Sequence, residues 1–85
     1  MIKKLTLEQF KETLTEVESF IQECSALSLT ALNEKYFNIE ENKSRLEKAY
    51  NALESVGIDL SSVEDRYSNA IGNLAYFSQQ ANIGF

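Results

Sequence analysis

The sequence predicts an all-α protein, a compact three-helix bundle, on three observations. The 85 residues contain no proline and only three glycines, so little turn chemistry interrupts the chain. Two segments, Thr6-Leu7-Glu8-Gln9 and Ser61-Ser62-Val63-Glu64, have the capping-box pattern that opens a helix. Between and after them, apolar residues recur at alternating spacings of three and four, the period of one helix face.

The first helix is predicted over residues 6–27. Leu5 and Phe10 stand where a hydrophobic staple would accompany the Thr6 cap. Leu7, Phe10, Leu14, Val17, Ile21 and Cys24 form its apolar seam, and Glu8, Glu12, Glu16 and Glu23 fall elsewhere. The second helix is predicted over residues 29–56. Its spine is Leu32, Ile39, Leu46 and Leu53, each seven residues on, joined by Leu29, Tyr36, Ala49, Tyr50 and Val56. Gly57 is placed to take a left-handed conformation just past its end, a Schellman stop with Ile58 returning toward Leu53. The Asn38-Ile39-Glu40-Glu41 segment offers a kink or second cap that would split the bundle into four pieces. The third helix is predicted over residues 61–82, with Val63, Tyr67, Ala70, Leu74, Phe77 and Ala81 inward, and a short apolar tail, residues 83–85, follows.

The boundary around Ser25 to Thr30 has neither glycine nor proline. Ile21 and Leu32 are eleven residues apart, a stutter that also permits one long helix with the third helix folded back, forming an oligomeric bundle. The compact bundle buries all three seams within one chain and is the architecture expected; residues 1–85 are read as a single domain.

Composition excludes several function classes. Eight Lys and Arg against thirteen Asp and Glu, net −5, argue against a surface that tracks nucleic-acid phosphates. Met1-Ile2-Lys3-Lys4-Leu5 imitates the basic end of a signal peptide, but Glu8, Lys11 and Glu12 follow where the apolar stretch belongs. No segment approaches the roughly eighteen apolar residues of a membrane span, so a cytoplasmic location is expected, with no membrane partner. The single cysteine makes no internal disulfide, and the absence of histidine removes both the usual base for a cysteine nucleophile and the mixed ligand set of zinc sites. Cys24 lies on the seam and reads as packing. The acidic residues match neither a calcium loop nor a di-iron helix pair. Glycine spacing offers no phosphate cradle. No enzyme activity, cofactor or metal is expected. Lys43, Arg45 and Lys48 interleave with Glu40, Glu41 and Glu47 and read as a helix face of i, i+3 and i, i+4 ion pairs.

One feature points to function. Residues 67–85 contain no charged side chain, in a chain that is 25% charged. The side of the third helix away from its seam carries Asn69, Asn73, Tyr76, Gln79 and Gln80, with Gly72 among them. Charge depletion with retained tyrosine and amides is the composition of protein interfaces. The expected site for a protein partner or a second copy is therefore Asn69, Asn73, Tyr76 and Gln80, with Ile83 and Phe85 anchoring the tail. Such a module suits an assembly subunit, a chaperone or a small inhibitor carried by a phage or mobile element. Two other readings use other residues: an acidic decoy for a nucleic-acid-binding site, through Glu8, Glu12, Glu16, Glu23, Glu40 and Glu41, and a small-ligand sensor with an inter-subunit pocket around Lys43, Arg45 or Lys48.

Overall fold

A computed structural model describes residues 6–83, and among them the chain forms four helices and no strand. They are α1 (Leu7–Ser25), α2 (Leu29–Glu34), α3 (Tyr36–Ser55) and α4 (Glu64–Ile83). Three long helices and the short α2 pack as an all-α bundle around one core.

α1 starts as its residues dictate. Thr6 Oγ1 accepts a hydrogen bond from the Gln9 backbone N–H (3.1 Å), and Gln9 Oε1 accepts one from the Thr6 N–H (2.9 Å), a complete capping box. Leu5, the other half of the expected staple, lies outside the described residues. Phe10, Leu14, Val17 and Cys24 are buried, with Leu7 and Ile21 packed against the same core.

The continuous-helix alternative is not adopted, because the chain turns at residues 26–28. Ala26 caps α1, and Ser28 turns extended (φ −70°, ψ 166°) so that its Oγ accepts from the Ala31 N–H and opens α2. The second predicted helix is also broken, at Lys35 and not at Asn38. The Lys35 N–H is shared between the Ala31 and Leu32 carbonyls, which tightens the turn, and the Lys35 carbonyl restarts the ladder by accepting from Ile39. The break lets α2 lean on α4. Leu32 enters the core, and the Asn33 side-chain N–H donates to the Ala81 carbonyl at 2.9 Å. Asn38 instead lies within α3, its carbonyl accepting from the Asn42 side chain.

The heptad spine survives the break: Leu32, Ile39, Leu46 and Leu53 are all buried. Leu29 and Val56, expected on the same seam, are not; they are 51% and 72% exposed. Leu29 belongs to the first turn of α2, and Val56 is the residue at which α3 has already ended. The stop at Gly57 is a Schellman motif: the Ile58 N–H donates to the Leu53 carbonyl, the Gly57 N–H to that of Glu54, and Gly57 has φ +80°. A side chain at Gly57 meets no atom within 4 Å, so replacement there is opposed by backbone strain alone. Gly57→Ala is expected to lower stability by about 1–2 kcal/mol in urea unfolding, and Gly57→Asn by less.

α4 begins one turn later than the capping box implied. The Asp59 carboxylate takes the Ser61 N–H at 3.0 Å, which holds that carboxyl below its usual range, and the chain turns through residues 60–63. This turn sends both Leu60 and Val63 into the core, and the Val63 carbonyl then accepts the first α4 bond from Tyr67. Two buried apolar side chains outweigh a single cap, which contributes ~1 kcal/mol.

α4 packs against α1, α2 and α3 alike. Ala70, Leu74 and Ala81 are buried, and Tyr67, Ile71 and Phe77 pack at the core edge. Its tie to α1 is Arg66, which donates to both Glu18 carboxylate oxygens (2.7 and 3.1 Å). That pairing lowers the Glu18 carboxyl and raises Arg66, so its contribution is present above the ordinary carboxylate range and is lost as pH falls through the lowered Glu18 value.

Candidate docking face

The inward side of α4 fixes which residues face out. With Ala70, Leu74 and Ala81 buried, the exposed arc carries Ser68, Asn69, Gly72, Asn73, Ala75, Tyr76, Gln79 and Asn82. The expected Asn69, Asn73 and Tyr76 therefore share one uncharged surface, with Tyr76 57% exposed. Gln80 departs from expectation: it is half-buried, because α4 has three neighbouring helices and buries a wider arc than a helix packed on one side. Phe85 and the side chain of Ile83 lie outside the described residues.

Gly72 sits in the middle of this arc. A Cβ built there meets nothing within 4 Å, so no internal contact requires glycine. At the N-terminal end Glu64 and Asp65 lie in the first turn, favourably placed toward the positive end of the helix. The charge-free surface begins beyond them.

The exposed sides of α1 and α3 differ from this arc in carrying many charges. Among the described residues the ion pairs are Lys11–Glu8 (3.8 Å), Arg45–Glu16 (3.1 Å) and Arg66–Glu18. The pairs expected within α3 do not form. Arg45 reaches across to α1, and the Glu40 carboxylate accepts a bond from the Ser78 hydroxyl of α4. Glu8 and Glu16, two of the acidic residues of the decoy reading, thus each face a cation, and Arg45, of the sensor reading, is engaged in the bundle.

Sequence reasoning missed one exposed apolar side chain of note, Phe37, 82% exposed with its ring edge-on to Tyr36. The available signal was its position beside the seam residue Tyr36 and off the seven-residue spine. Ile58, beyond the α3 stop, is also exposed.

Cys24 is buried, and burial, then the charge of Glu23, pushes its thiol up, which disfavours the nucleophilic thiolate at neutral pH. Among the described residues no three acidic or cysteine side chains gather as a metal-binding group, and no helix is long and apolar enough to cross a membrane. Tyr50 and Tyr67 stack at 4.0 Å with rings 12° from parallel, over Phe10. Burial first, then Glu64 and Glu54, raises the Tyr50 phenol; burial first, then Glu47, Tyr50 and Glu54, raises Tyr67. The folded chain therefore holds these protons to higher pH than the unfolded chain, whose tyrosines ionise near ~10. Their contribution is complete below that value and is lost as pH rises through the folded values. An ultraviolet phenolate titration should show late-titrating tyrosine that Tyr67→Phe diminishes and urea abolishes; a titration identical in folded and urea-unfolded chains contradicts the stacked arrangement.

Comparison with known proteins gives no matching family model, no significantly similar curated protein and no significantly similar solved structure.

Proposed function

We propose that the protein is a non-catalytic interaction module of the cytoplasm that docks on a protein partner, or on a second copy of itself, through the outward arc of α4. The observation that carries this reading is the arc's composition. Asn69, Asn73, Tyr76 and Gln79 are exposed with no charge among them, while the exposed sides of α1 and α3 carry Glu and Lys. Charged side chains are costly to desolvate, so a surface without them is the one most readily covered. Tyr76 supplies apolar area with a polar tip, a frequent anchor of interfaces.

Gly72 supports the same reading. A helix-interior glycine is about 0.5–1 kcal/mol less stable than alanine, and nothing inside this bundle requires it. Its use is close approach of another backbone. Gly72→Ala is expected to raise thermal stability by about that amount while weakening docking, a split that an ordinary packing glycine does not give.

The experiment is site-specific photocrosslinking in the source cell, with a photoreactive residue at position 76 and a control at the exposed position 41 of α3. Discrete adducts at 76 that are absent at 41, and that disappear on adding Asn73→Glu, are expected. Equal labelling from both positions, or adducts indifferent to a charge at 73, would sink the assignment.

A further inference from the structure

We infer that the turn between α1 and α2 is a hinge through which two copies of this chain exchange α1, each α1 packing against α3 and α4 of the other copy. The reversal between α1 and α2 is confined to residues 26–28. Ala26 is already right-handed helical (φ −97°, ψ −1°), and the Ala26 and Leu27 N–H groups already bond back to the Glu23 and Cys24 carbonyls. Ser28 has a helix-compatible φ of −70° and departs only in ψ. No described residue here has the positive φ that would lock the reversal, in contrast to Gly57 at the α3–α4 turn. Residues 6–56 also contain neither glycine nor proline.

The register favours the straightened form. Eleven residues separate Ile21 from Leu32, three helical turns to within about 20°. With residues 26–28 helical, α1 and α2 would form one helix whose apolar strip runs from Phe10 to Leu32 on a single side. Phe10, Leu14, Val17 and Cys24 would then leave their own core, and the slot they vacate matches only an α1. The long-range polar and aromatic ties of α1 are re-formed between copies: Glu18 and Thr15 with Arg66, Glu16 with Arg45, and Phe10 with Tyr50 and Tyr67. Closed monomer and exchanged dimer thus share a core and differ at the hinge and in concentration, the condition under which short hinges permit swapping. The dimer presents two α4 arcs at once. The inference stands on the hinge alone and does not require the docking reading.

The test prepares the full chain by refolding at millimolar concentration, followed by dilution and sedimentation velocity. A dimer that persists for hours after dilution is expected, since separation requires each α1 to leave a core. Ser28→Ala removes one cap from each closed copy and should raise the dimerisation constant roughly 30-fold, about fivefold per cap. A four-residue Gly/Ser insertion after Ala26 frees the closed form and should abolish the dimer. A Glu18→Cys, Arg66→Cys, Cys24→Ala variant bridged by a short bismaleimide then distinguishes the arrangements, with circular dichroism confirming the fold. Covalent dimers from the dimer fraction are the expected result. A dimer whose bridges are all within one chain is a surface dimer, which overturns exchange and leaves α4 docking standing; a chain monomeric at every concentration overturns exchange as well.

Discussion

Phe10→Ala is expected to remove about 3–5 kcal/mol of folding stability, the usual cost of deleting a fully buried phenylalanine. The ring is 0% exposed and lies 6.1 Å from Tyr50 and 6.2 Å from Tyr67. Its loss opens a void beneath the two stacked tyrosines and removes the anchor that seats the start of α1 on α3 and α4. An 85-residue domain has roughly 4–13 kcal/mol in all, so the variant should be largely unfolded or melt far below the parent. Urea unfolding followed by circular dichroism measures this. A loss below about 1 kcal/mol means that α1 does not pack as described.

Leu74→Ala should lose about 2–5 kcal/mol, although alanine is the better helix former. Leu74 is 0% exposed on a helix that touches all three others, so the cavity it leaves is bordered from several sides and collapses poorly. The neighbouring Asn73→Ala makes the comparison sharp. Asn73 is exposed, and the change should lie within about 0.5 kcal/mol of neutral. If both positions respond alike, α4 does not have the orientation that sets Asn69, Asn73 and Tyr76 outward.

Local chemistry was legible in the residues. The Thr6 cap, the Gly57 stop and the spine Leu32, Ile39, Leu46 and Leu53 depend on neighbours within a few positions, and each formed as its pattern implies. Several of the failures involve partners distant in the chain. Ser61 did not cap α4 because Leu60 and Val63 had a core to enter. Arg45 left its own helix for Glu16, whose position no reading of α3 can supply. Leu29 and Val56 keep the apolar period but lose its phase at the Lys35 break and the α3 stop. The candidate face was visible because missing charge needs no tertiary knowledge, whereas the half-burial of Gln80 follows from the number of helices around α4.

The central place of α4 has a consequence for how the chain is made. It is the fourth helix to be synthesised, yet it completes the packing of the other three. Adding its 20 residues, at roughly 5–20 residues per second, takes about 1–4 s, and α4 can cover the seams of α1 and α3 only after that. Until α4 is in place, Phe10, Leu14, Ile39 and Leu46 of α1 and α3 lack its cover.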